Sequence, residues 1–154
     1  MTFCPHYFKI VSGVGKSQYP LVAFDNALRN AGIGDYNILK VSSILPVNCA
    51  YSDDIPLNSG CVLYAAYSTI TVREDENGAA AVAVAIPSSS NDSGVIFEHS
   101  LINTKGGLKE IVQAMCCEAM QNRNKTVSNI MSISQEVNGE HGFYVSAISA
   151  VVMW

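Results

Sequence analysis

Chemistry needs nucleophiles, proton carriers or metal ligands at useful spacing, and this chain offers few of the usual sets. Its histidines are His6, His99 and His141, scattered and without the i, i+4 spacing of a helical metal site. There is no Gly-x-Ser-x-Gly elbow, so neither a hydrolase triad nor a metal centre is supported. The cysteines Cys4, Cys49, Cys61, Cys116 and Cys117 are odd in number and form no C-x-x-C pair, which predicts reduced thiols. Gly15-Lys16-Ser17 echoes a phosphate loop, but Ile10 stands where that loop needs its first glycine. Glu98 is more promising. In a strand it shares a face with Ile96 and Ser100, while Val95, Phe97 and His99 point the other way. A carboxyl on a mostly apolar strand is partly desolvated, which raises its pKa and suits it to donating a proton near neutral pH.

The elements that must position such residues can be read from periodicity. Phe8–Val14 reads as a strand running into a turn at Gly13–Ser17. Leu21–Ala31 reads as a helix with Leu21, Phe24, Leu28 and Ala31 on one stripe, Pro20 in its first turn and Gly32 and Gly34 at its end. Asp25 lies at the edge of that stripe. Asn37–Val41 is a strand, and Ser42-Ser43-Ile44-Leu45-Pro46 follows it. Cys61–Val72 and Ala79–Ile86 read as strands, with the intervening Arg73–Gly78 ending in an Asn-Gly hairpin signal. Ala79–Ile86 is apolar throughout, which predicts cover on both faces. Gly94–Ser100 returns as a strand after the loop Pro87–Ser93. Gly106–Arg123 is a second helix, its buried stripe formed by Leu108, Ile111, Val112, Met115 and Ala119. Thr126–Val137 and Phe143–Trp154 complete the order β-α-β-β-β-β-α-β-β, an α+β layered sandwich of antiparallel sheets covered by helices.

The ordered set Pro20–Leu28, Ala31–Gly34, Asn37–Pro46, Ala79–Pro87, Gly94–Ser100 and the C-terminal Ala-Val-Val-Met-Trp resembles the pyruvoyl-dependent arginine decarboxylases. The resemblance covers nearly the whole chain. It implies a four-layer αββα sandwich with antiparallel or mixed sheets. It also implies a single domain, residues 1–154, that cuts itself into a small chain 1–42 and a large chain 43–154. Ser43 would attack the carbonyl of Ser42 and turn the amide into an ester. Elimination would leave dehydroalanine, which hydrolyses to a pyruvoyl group at the new N-terminus. That step needs a β-hydroxyl beside a carbonyl on a constrained backbone. The pyruvoyl carbonyl would then condense with the substrate amine and take up the electrons released with carbon dioxide.

The same resemblance assigns further residues. Glu98 would be the proton donor after decarboxylation. Asn37 would belong to the self-cleavage machinery, polarising the Ser42 carbonyl. Asp25 would recognise the guanidinium of the substrate, with Leu28 lining the aliphatic part of its pocket. The implied reaction is L-arginine to agmatine and carbon dioxide, as used in polyamine biosynthesis and in acid resistance. Alternatives are a pyruvoyl decarboxylase for lysine, ornithine or histidine, and an unprocessed, non-catalytic member of the fold. Metal ligands are not expected, and His99 and His141 carry no role.

Bulk composition agrees with this reading. About half the residues (49%) are hydrophobic and only 14% are charged. A chain of 154 residues has limited interior, so part of that apolar surface is expected between subunits. The resemblance implies a homotrimer or a dimer of trimers of processed subunits, with active sites between neighbours, which agrees with that surplus. The net charge of −4 and the lack of basic clusters argue against nucleic acid. No apolar run is long enough for a membrane span, and Met1–Tyr7 does not read as a signal peptide, which predicts a cytoplasmic protein.

Overall fold

The structure, a computed structural model, describes residues 3–104 and 106–154. Nine strands and two helices are present among them: β1 (Tyr7–Ser17), α1 (Pro20–Asn30), β2 (Asn37–Lys40), β3 (Ile44–Leu45), β4 (Ala50–Tyr51), β5 (Val62–Val72), β6 (Asn77–Pro87), β7 (Gly94–Ile102), α2 (Leu108–Gln121), β8 (Val127–Asn138) and β9 (Tyr144–Met153). They form two sheets. The first has the order β2-β5-β9-β1-β4 and the second β3-β7-β6-β8. The first is mixed, because β2 and β4 join it in parallel, and the second is antiparallel. α1 covers the outer face of the first sheet and α2 that of the second, giving the four-layer αββα sandwich.

The alternation of β6 explains the middle of the molecule. Ala79, Ala81, Ala83 and Ala85 face α2, and Val82 and Val84 face the first sheet. Every residue from Ala79 to Ala85 is fully buried, so the strand is covered on both faces as its composition demands. It therefore sits in the centre of its sheet, between β7 and β8. This overturns the hairpin reading of Arg73–Gly78. β5 and β6 lie in different sheets, and the turn, tightened by Glu76 N–H donating to Arg73 O at 3.0 Å, carries the chain from one sheet to the other. Asn77 and Gly78 are already part of β6.

Further expectations are corrected. There is no turn at Gly13–Ser17, because β1 continues through it. Gly13 and Gly15 serve another purpose: they let α1 lie directly on the strand. A Cβ at Gly13 would meet Ala27 O and come within 2.6 Å of Ala31 N. This close approach fixes the rotation of α1. Small residues must face the sheet, so Ala23 and Ala27 are fully buried and Leu21 is 81% exposed. Phe24, Leu28 and Ala31 pack at the side of that contact. α2 begins at Leu108, since Gly106 (φ 107°) and Gly107 (φ 86°) are left-handed. Its buried face is Leu108, Val112, Cys116, Ala119 and Met120, while Ile111 is exposed. β9 lies between β1 and β5, so the C-terminal strand is central to the first sheet.

Candidate active site

The edges of the two sheets meet where the sequence places Ser42-Ser43. β2 is the edge strand of the first sheet and β3 the edge strand of the second, so residues 41–43 step from one sheet to the other. The step is pinned at both ends. Val41 N–H donates to Ala65 O on β5 at 2.9 Å, and Ser43 O accepts from Ile96 N–H on β7 at 2.7 Å. The side chains of Val41 and Leu45 point into the inter-sheet core, which anchors the flanks against sliding. Ser42 is exposed and Ser43 half-buried. The Ser42–Ser43 peptide is thus held between two fixed backbone groups, one in each sheet. Holding both sides limits the motions that would carry the Ser43 hydroxyl away from the neighbouring carbonyl.

Glu98 lies close by. β3 pairs with β7 through Ile44↔Val95 and Leu45↔Gly94, so Ser43 sits opposite Ile96. Glu98 is two residues further along β7 on the same face, roughly 7 Å at the strand rise. Ile96 is fully buried in the inter-sheet core, and Glu98 occupies the margin of that layer with its side chain 24% exposed. Burial pushes its carboxyl above the usual carboxylate range, and the Lys40 ammonium and its own backbone amide act against this. Lys40 Nζ is 3.9 Å from Glu98 Oε1. The same ammonium lies 4.7 Å from the centre of the Tyr67 ring. Lys40 was not singled out in the sequence. The available signal was a lysine two residues before Ser42, on the same side of an extended chain.

The remaining site residues are not brought to this point within one chain. Asn37 begins β2, five extended residues or about 16 Å from Ser42. Its side-chain amide donates to Gly60 O at 2.7 Å. Within one chain Asn37 therefore does not reach the Ser42 carbonyl. Asp25 is exposed on α1, on the outer face of the first sheet, and Leu28 is half-buried beside it in the α1 contact. Among the described residues no hydrogen bond or ion pair joins Asp25 to Ser43, Glu98 or Lys40. A cavity of about 460 Å³ beside α1 is lined by Lys16, Asn26, Arg29, Asn30 and Glu140 among others, and includes neither serine nor Glu98. His99 points to the α2 side of β7, and His141 pairs at the surface with Glu74 at 2.7 Å. Of the adjacent cysteines, Cys116 is buried and Cys117 exposed. Among the described residues no helix is long and apolar enough to cross a membrane.

A serine clamped between two sheets beside a desolvated carboxylate suits an enzyme that makes its reactive group from its own chain. A model of the family described as pyruvoyl-dependent arginine decarboxylase matches residues 7–154. A pyruvoyl-dependent arginine decarboxylase of Methanococcus aeolicus is 34% identical over 152 residues, spanning 97% of this chain and 90% of the relative. One from Pyrococcus abyssi is 35% identical over 139 residues, 87% of this chain and 85% of the relative. One from Methanopyrus kandleri is 27% identical over 151 residues and spans 97% of each. The chain belongs to the pyruvoyl-dependent arginine decarboxylase family. It is accordingly a carbon–carbon lyase that decarboxylates a small amino acid using a covalent pyruvoyl group. Ser43 fits as the origin of that group: it is a serine, it is half-buried, and its carbonyl is held by Ile96 N–H.

Proposed function

We propose that the chain cuts itself between Ser42 and Ser43 and then decarboxylates L-arginine to agmatine and carbon dioxide. The observation that carries this reading is the Ser42–Ser43 peptide held at the sheet crossover, with Glu98 on the adjoining strand. In maturation the Ser43 hydroxyl attacks the Ser42 carbonyl and the C–N bond breaks. Elimination releases the Ser42 carboxylate, and one water then displaces ammonia to leave the keto group. The pyruvoyl carbonyl supplies the electron sink for decarboxylation. The protein's own groups do the rest. Glu98, whose carboxyl burial pushes up from its ordinary value, delivers a proton to the carbon that loses carbon dioxide.

Arginine is favoured over lysine, ornithine and histidine by the names of the relatives; Asp25 offers a carboxylate for a bidentate guanidinium contact, and it would also suit the ammonium of lysine. Asp25 and Asn37 both lie on exposed surface without a contact to Ser43, which supports an active site completed by a neighbouring subunit in a trimer or a pair of stacked trimers. The exposed Leu21 (81%) and Leu39 (50%), on α1 and β2, are consistent with apolar surface covered in such an assembly. The proposed setting is the cytoplasm.

A denaturing intact mass tests maturation. Two species, residues 1–42 and 43–154, with the larger lacking a normal amine terminus, are expected. One persistent 16.5 kDa species would refute it and favour the non-catalytic reading. A substrate panel tests specificity. Arginine turnover that is lost in Asp25→Ala while cleavage persists supports the assignment, and preferential turnover of lysine, ornithine or histidine overturns it.

A further inference from the structure

Lys40 forms an ion pair with the proposed proton donor and has no role yet in the chemistry. Its backbone is fixed, because β2 pairs in parallel with β5 through Lys40↔Ala65 and the next residue donates to Ala65 O. Its ammonium, on a side chain that is 54% exposed, has one aromatic support. It rests over the Tyr67 ring at 4.7 Å, and Tyr67 packs in turn against Phe24 of α1 with ring centres 6.5 Å apart. From there it reaches Glu98 Oε1 at 3.9 Å, longer than a hydrogen bond, so it acts as a point charge. The other neighbours of Glu98 do not compete. β6 presents Val82 opposite it and Val84 beyond. β5 offers the phenols Tyr64, stacked on Phe3, and Tyr67, beneath Lys40. His99, Glu118 and Arg123 lie on the opposite, α2 side of β7.

We propose that Lys40 is a positioning residue for the decarboxylation, fixing the Glu98 side chain beside Ser43 from across the cleavage point. The inference rests on the reading of Glu98 as proton donor. Lys40 lies in residues 1–42 and Glu98 in residues 43–154, so after cleavage the pair joins the end of the small chain to the strand of the large one. The small chain thereby contributes a residue to the catalytic apparatus. Two effects of opposite sign follow from removing the ammonium. Glu98 loses its orientation, and about a tenfold fall in the kcat plateau is expected with KM little changed. Its carboxyl also loses a favourable partner for the ionised form, so its titration moves to higher pH and the alkaline limb of the kcat profile moves with it.

The experiment compares Lys40→Met and Lys40→Arg with the parent enzyme. The expected result for Lys40→Met is a lower plateau together with an alkaline limb at higher pH, both restored by Lys40→Arg. A general structural defect would lower the plateau without moving the limb upward. A second readout is independent of turnover and of cleavage. In the full-length Ser43→Ala chain, carboxyl 13C resonances of labelled glutamate are titrated with and without Lys40→Met, Glu98 being assigned by its loss in Glu98→Gln. An upward move of the Glu98 titration on removing Lys40 supports the pairing, and an unmoved titration overturns it. Failure of the underlying reading looks different. Cleaved Glu98→Gln that still turns over arginine at the parent rate removes Glu98 as the donor, whatever its titration shows.

Discussion

Gly13→Ala is the sharpest test of how the fold sets up the site. Gly13 lies on β1 opposite Ile148 of β9, and α1 crosses directly above it. A methyl group there would press on Ala27 O, and it would stand 2.6 Å from Ala31 N and 3.0 Å from Ala31 Cβ. Non-bonded contacts relax at about 3.5–4.0 Å, so α1 must lift by roughly 1 Å. Overpacking of this kind costs about 1–3 kcal/mol. At about 2–4 °C per kcal/mol for a chain of this size, the unfolding midpoint falls by roughly 2–12 °C. The nearest atoms belong to helix backbone, so trimming a side chain does not relieve them, and Ala31→Gly is expected not to rescue the variant. The functional effect should be selective. α1 carries Asp25, whereas the Ser42–Ser43 step is held by β5 and β7. Arginine KM should therefore rise while cleavage proceeds. The assays are thermal unfolding at fixed protein concentration, intact mass and steady-state kinetics. An unchanged midpoint would refute the claim that the α1–β1 contact is rigid, and lost cleavage would show that α1 and the crossover are not independent.

Three other outcomes follow from burial and charge. Ile96→Ala empties a fully buried position in the core behind Ser43 and should cost about 2–5 kcal/mol by denaturant unfolding. A loss below 1 kcal/mol would mean that the layer there is loosely packed. The exposed Cys4, Cys61 and Cys117 should react readily with a thiol reagent, while Cys49 and Cys116, pushed up to about 12 and about 11 by burial, should react only on unfolding. Equal rates at all five would contradict the packing. In Ser43→Ala, the raised pKa of Glu98 means that the folded chain holds this proton more tightly than the unfolded one. Its contribution is full below the unfolded value and is lost as pH rises through the folded value. Glu98→Gln should remove that part of the pH dependence, and identical stability–pH curves would show that Glu98 is not desolvated.

Much of the fold was legible because burial leaves a local imprint. An eight-residue apolar run could only be a covered strand, and the breakers around Leu21–Ala31 bounded a helix without ambiguity. What failed were inferences about partners. Asn77-Gly78 carries the composition of a hairpin turn, yet which strand pairs with β6 depends on cover from β7, β8 and α2, none of it local. Leu21 fits the helical stripe arithmetically. The rotation of α1 is set instead by two glycines on another strand, which favour Ala23 and Ala27 against the sheet. The glycines themselves were misread as a turn for the same reason: a glycine that allows close approach looks, in sequence, like one that allows a bend.

The site divides along the same line. Strand alternation alone placed Glu98 with Ile96, and the structure keeps them on one face at the edge of a buried layer. No periodicity could show that β2 and β7, in different sheets, approach each other at the crossover, and so Lys40 escaped notice. Asn37 and Asp25 are different again. Their types suit the chemistry, but one chain leaves both on its surface, Asn37 at the far end of β2 and Asp25 on the outer face of α1. A strand of fixed rise cannot bring Asn37 back to the bond it precedes by five residues. The proposed assembly predicts that Asn37 and Asp25 act on the Ser43 of a neighbouring copy, which would make the interface the physical unit of function. Mixing cleaved Asp25→Ala with cleaved Glu98→Gln subunits decides it: shared sites recover part of the activity, whereas sites confined to one chain recover none.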